Sequence, residues 1–109
     1  MKKPTESALV KACLELLHLR GIFAWRQNQG VIPLPGGGFR RFVGLRGLSD
    51  IVGLLPPAAR VLCVECKMPD GVLSPEQKAF LDRVRQLGGL SLVVRSIREL
   101  EIALDQERL

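Results

Sequence analysis

The sequence predicts an α/β fold, a small mixed sheet flanked by helices in the order α-β-β-β-α-β-α. Three observations predict it. Short apolar runs bounded by Gly and Pro occupy the middle of the chain, as strands do. Segments with apolar residues at helical spacing and N-cap signals stand before, between and after those runs. Strands that are apolar on both faces need helices on both faces.

Thr5 or Ser7 can cap a first helix running to about Leu19, where Gly21 supplies the left-handed stop. Leu9, Ala12, Cys13, Leu16 and Leu17 fall on one stripe of it and should face a core. Ile22 to Trp25 reads as the first strand, and "PLPGGGFRRF" as a turn or exposed loop ending in two arginines. Leu48 to Leu55 is the second strand, Pro56-Pro57 turns the chain, and Arg60 to Met68 is the third. These three are linked closely enough for an antiparallel meander. In "PDGVLSPEQK", Ser74 is the N-cap of a helix, Pro75 its first residue and Gln77 its third. That helix runs to about Leu87 and stops at Gly88-Gly89. "LSLVVR" is the fourth strand, parallel to the third because a helix crosses between them. Ser96 caps a last amphipathic helix carrying Ile97, Leu100, Ile102 and Leu104.

The 109 residues make one domain, 1–109, and 47% hydrophobic content is enough for a core without disulfides or a structural metal. No uninterrupted apolar run approaches the roughly 18 residues of a membrane span. "MKKPTESALV" opens like a signal peptide, but Pro4, Glu6, Lys11 and Glu15 break any apolar core of one. The segment reads as a structural helix of a protein that stays in the cytoplasm. Three cysteines, an odd number, speak against a disulfide scaffold and agree with a reducing compartment. A net charge of +5 and a pI near 9.6 favour an anionic partner, nucleic acid or a membrane surface.

Charge interrupts the second and third strands. If "PPAA" centres their turn, Leu55 pairs with Arg60, Gly53 with Leu62, Ile51 with Val64 and Asp50 with Glu65. Opposed residues point to one face with Cβ atoms roughly 4.5–5.5 Å apart, and Glu65 and Lys67, two apart, share a face. Two carboxylates and one ammonium thus meet at one end of the hairpin. Opposed carboxylates repel, and burying an unpartnered charge is costly. Lys67 neutralises one charge; a divalent cation between Asp50 and Glu65 would offset the other, and all-oxygen ligands favour Mg²⁺, Mn²⁺ or Ca²⁺ over zinc. Such an ion beside a lysine suits phosphodiester hydrolysis. The same spacing equally fits an ion-pair network at a sheet end.

"GLSDIVGLL" followed by "VECK" resembles the PD-(D/E)xK nuclease signature, with Asp50 as the acid, Ser49 in place of proline, and Glu65-Cys66-Lys67 as E-x-K. The wider pattern is similar to the VRR-NUC branch. It includes Glu6 on the first helix, "RQNQG" with Arg26, Asn28 and Gly30, and Gln77 in "SPEQKAFL". The resemblance covers nearly the whole chain and implies a restriction-endonuclease-like αβββαβ core with an extra C-terminal helix. It also implies metal-dependent DNA cleavage with Mg²⁺, Mn²⁺ substituting. Standalone members of this size imply a homodimer acting on Holliday junctions or other branched DNA in a bacterial or phage-infected cell, with no membrane partner.

Carried onto this chain, the resemblance gives Asp50, Glu65 and the Cys66 backbone carbonyl to the metal, Lys67 to catalysis, and Gln77 to orienting Lys67 or a phosphate. Gln77 is equally a capping-box partner of Ser74. Glu6 would face the metal, directly or through water; a favourable charge at a helix N-terminus explains it as well. Arg26 and Asn28 would touch DNA or organise the site, and Arg40, Arg41 and Arg46 would touch a DNA backbone; all five also suit a solvated loop surface. Cys63 and Cys66, three apart on a strand, point to opposite faces and cannot clamp one metal. His18 is expected to be exposed, and Trp25 and Phe39 to serve a core or dimer contact as readily as a base. The apolar last strand and terminal helix could furnish a dimer interface or simply close the core. Two other function classes fit: an inactive nucleic-acid-binding module of the same fold, and an interaction domain with a fortuitous acid pair.

Overall fold

The computed structural model describes residues 5–27, 30–42 and 47–109. Helix α1 (Glu6–Leu19) leads into β1 (Phe23–Arg26), a hairpin of β2 (Gly30–Pro33) and β3 (Phe39–Phe42), then β4 (Ile51–Leu55) and β5 (Arg60–Cys66). Helix α2 (Pro75–Gln86), β6 (Leu90–Val94) and α3 (Ile97–Gln106) complete the chain. Four strands form the main sheet in the order β1-β4-β5-β6. Its first three members are the expected antiparallel meander, and β5 and β6, joined through α2, run parallel. The β4–β5 register is the one the Pro-Pro turn dictates: Ile51 opposite Val64, Gly53 opposite Leu62, Leu55 opposite Arg60.

Three differences from the sequence reading have local causes. The "PLPGGGFRRF" segment is partly strand: β2 and β3 form a separate two-stranded antiparallel pair around glycines at positive φ, which allow a tight reversal. Strand β1 starts one residue later than expected, because Ile22 N–H still donates to Leu17 O at the helix end (3.0 Å). Strand β4 begins at Ile51 and not at Leu48, because Ser49 Oγ donates to Ile51 O (2.9 Å) and bends the chain before the ladder starts.

The caps lie where local chemistry puts them. Thr5, rather than Ser7, caps α1 through the Ala8 N–H. Ser74 caps α2 in a reciprocal capping box with Gln77, and Ser96 caps α3. One face of the sheet carries the core: Ile51, Leu55, Leu62, Val64, Cys66, Leu90 and Val94 meet Val10, Cys13 and Leu17 of α1 and Leu100 and Leu104 of α3. The opposite face meets α2, whose Leu81 O accepts from buried Ser91 Oγ (2.8 Å). Glu65 belongs to this second face, since it alternates with Val64 and Cys66. No helix of the described residues is long and apolar enough to cross a membrane.

At Gly53 the β1 strand leaves no room for a side chain on β4. A Cβ there would lie 2.9 Å from both Ala24 Cβ and Phe23 O. Gly53→Ala should therefore lower the urea midpoint with little change in slope, a loss of about 1–3 kcal/mol typical of overpacking.

Candidate metal centre

The end of the β4–β5 hairpin gathers three acids. One carboxylate oxygen each from Glu6, Asp50 and Glu65 lies within 4.8 Å of the others. Each arrives for a separate reason. Glu6 is the first residue of α1, placed there by the Thr5 cap. Asp50 sits just before β4 in the bend that Ser49 makes. Glu65 is the penultimate residue of β5 and is only 2% exposed.

Asp50 does not continue the ladder opposite Glu65. Its backbone O accepts from Gln27 N–H (2.8 Å), while Oδ2 accepts from Cys66 N–H (2.8 Å). The carboxylate thus does the work that a strand carbonyl would otherwise do, and so is held beside Glu65. Gln77, at the third position of α2, accepts from Ser74 N–H through Oε1 and donates from Nε2 to Glu65 Oε1 (3.2 Å). It is at once the capping-box partner and a contact of the acid cluster. Gly47, at φ +78°, makes this possible: it lies so close to the first turn of α2 that a Cβ would run into the Glu76 carbonyl. Lys67 Nζ stands 3.9 Å from Glu65 Oε1.

Glu65 Oε2 is buried and has no hydrogen-bond partner among the described residues. An unpartnered buried carboxylate oxygen is costly, and the cost is relieved by a proton or by a cation. Burial first, and then the negative charge of Asp50, push the Glu65 carboxyl up to about 8 against the smaller opposing pull of Lys67. Three converging carboxylates, one of them carrying an oxygen unpartnered among the described residues, fit a divalent cation of the Mg²⁺, Mn²⁺ or Ca²⁺ type.

Arg26 lies at the same end of the sheet, with Nη1 donating to Ser7 Oγ (3.3 Å) one residue from Glu6. Arg40 and Arg41 fall on β3, opposite Ile32 and Val31. Asn28 and Arg46 lie outside the described residues. His18 is exposed, as expected, with its ring Nε2 donating to Ala24 O (2.9 Å). The Cys66 thiol lies on the opposite face of β5 from Glu65, in the core cluster with Cys13, and the Cys13 contact first, then burial, push it up. Among the described residues, no cysteine joins a metal-holding group. A cavity of about 220 Å³ lies elsewhere, around Arg60, Val61, Val84, Leu87, Gly88 and Gly89 at the start of β5, and contains none of the three acids. Sequence reasoning missed the Asp50–Cys66 bond and the bend at Ser49. Their only sequence signal is a short polar pair, Ser49-Asp50, ahead of an apolar run.

The model of the VRR-NUC domain family matches residues 6–97 of the chain. A solved structure described as a VRR-NUC domain superposes with a TM-score of 0.64 at 21% sequence identity, covering 97% of this chain and 100% of that one. No curated protein matches.

The Glu65 shift has a definite sign. With a folded value of about 8 against an ordinary 4.5, the folded state holds a proton that the unfolded chain releases across that window. Stability of the metal-free protein should be full below the lower value and fall as pH rises toward the upper one. Thermal melts in a chelator should show this decline, and Glu65→Gln should flatten it. The rise in Tm on adding Mg²⁺ should grow over the same range, because cation and proton compete for one carboxylate.

Proposed function

Because the chain belongs to the VRR-NUC domain family, a branch of the PD-(D/E)xK-like nucleases, we propose that it is a divalent-metal-dependent endodeoxyribonuclease acting on branched DNA. The observation that carries this reading is the orphaned Glu65 Oε2, buried beside Asp50 and Glu6. Asp50, Glu65 and the Cys66 carbonyl would hold Mg²⁺, with Mn²⁺ substituting and Glu6 contributing directly or through water. Such an ion supplies positive charge that offsets the carboxylates and draws electron density from a phosphate oxygen.

The chain's own residues do the rest. Gln77 holds Glu65 Oε1, while Oε2 is buried and has no hydrogen-bond partner among the described residues. Lys67 Nζ, close to Glu65 but beyond hydrogen-bond length, is available to stabilise negative charge developing on the phosphoryl oxygens. Arg26, beside the start of α1, is suited to the flanking phosphate; Arg40, Arg41 and Arg46 add positive charge toward the chain's net +5, which favours a polyanion, and Asn28 is assigned a contact with DNA. A symmetric junction needs two symmetric incisions, and a two-fold homodimer provides them.

A substrate panel of linear duplex, single strand, flap and four-way junction, each with Mg²⁺ or Mn²⁺, tests the reading. The four-way junction should be cut fastest. Glu65→Ala and Lys67→Met should each slow cleavage about 10²–10³-fold, the usual scale for removing a preorganised electrostatic group. Undiminished cutting by Glu65→Ala would refute the assignment. In Asp50→Asn the Mg²⁺-dependent rise in Tm should vanish, and its survival would remove Asp50 from the ligand set.

A further inference from the structure

We propose that Arg95 is a positioning residue for Lys67, acting through the turn formed by Met68–Gly71. Its catalytic consequence rests on the nuclease reading above; its structural content does not.

Lys67 is the first residue beyond β5, and its N–H donates to Val94 O of β6 (3.0 Å), so Arg95 follows directly on the neighbouring strand. From there its guanidinium turns onto the chain that leaves Lys67. Arg95 Nη1 donates to Met68 O (2.6 Å) and Gly71 O (2.7 Å), with Pro69 O at 3.5 Å. Gly71 N–H closes the turn on Met68 O (2.9 Å). Carbonyl oxygens that converge on one another repel, and a cationic donor among them stabilises the fold-back.

The fold-back touches Lys67 itself. A Cβ built on Gly71 would stand 3.5 Å from both Cβ and Cδ of Lys67, which is ordinary packing distance. Gly71 therefore lies alongside the lysine stem, with room for about one methyl group between them, and the turn flanks the stem on that side. At its other end, among the described residues, Lys67 meets one partner loosely: Nζ is 3.9 Å from Glu65 Oε1, an ion pair too long to be a hydrogen bond. The side chain is nevertheless only 13% exposed. Its direction is set by the packing of the stem, and that packing is set by the turn that Arg95 clamps. A flexible four-carbon chain needs such support if its ammonium is to meet one phosphoryl oxygen.

Two variants of the full chain, Arg95→Met and Arg95→Lys, test this. In junction cleavage, Arg95→Met should lower kcat roughly 10–100-fold, the scale of a misplaced catalytic group. KM and the Mg²⁺-dependent rise in Tm should stay unchanged, and Arg95→Lys should recover part of kcat. Combined with Lys67→Met, Arg95→Met should cost nothing further, because its effect runs through Lys67. A rise in KM with steeper salt sensitivity, or a full additional loss in the Lys67→Met background, would overturn the proposal in favour of a direct DNA contact. ¹³C relaxation at Lys67 Cε needs no activity. It should report a mobile stem in Arg95→Met and a rigid one in the wild type, and identical relaxation in the two would overturn the clamp. If the wild type cuts no substrate while the stem still loosens, the nuclease reading falls and the positioning role stands.

Discussion

A carboxylate taken out of water with one oxygen left unpartnered is the constraint on which this molecule turns. Glu65 sits at the end of a central strand, 2% exposed, with Oε1 held by Gln77 and Oε2 without a hydrogen-bond partner among the described residues. Its neighbours add to the difficulty, since Asp50 and Glu6 bring like charge. Such an arrangement persists only if the rest of the fold over-determines it. The β4–β5 ladder, the Asp50 grip on Cys66 N–H and the close approach of Gly47 to α2 do so.

The surroundings are electrostatically suited to that cluster. Two helices begin at it, α1 with Glu6 in its first position and α2 with Gln77 in its third. A helix start carries partial positive charge, which favours carboxylates and would favour a phosphate equally. The core on the other face of the sheet is conventional by contrast, with Leu17, Ile51, Leu62, Leu100 and Leu104 fully buried. Stability is concentrated on one face and tension on the other.

What the sequence made legible was local or periodic. The Pro-Pro turn and the alternation of β4 and β5 gave the register, and with it the proximity of Asp50, Glu65 and Lys67. "SPEQ" announced the capping box of α2, because all its partners lie within four residues. Contacts that depend on tertiary approach were not legible. Nothing in "LSD" says that the aspartate leaves the ladder to take a backbone amide sixteen residues further along, on the facing strand. The β2–β3 pair was hidden because Pro and Gly dominate its turn and mask short strands on either side. Arg95 gave no signal beyond one charge after an apolar run, since its partners, the carbonyls of Met68 and Gly71, belong to a different segment of chain.

The histidine on α1 bears on a hazard common to open sheets. Strand β1 has a partner on one side only, and its pairing through Phe23 and Trp25 leaves the peptide groups of Ala24 directed outward. His18 occupies that outward carbonyl. An incoming strand from another molecule would have to evict the imidazole before it could zip along this rim. The border of the sheet is thereby made a poor template for fibrillar growth, although Phe23 beside it is 70% exposed.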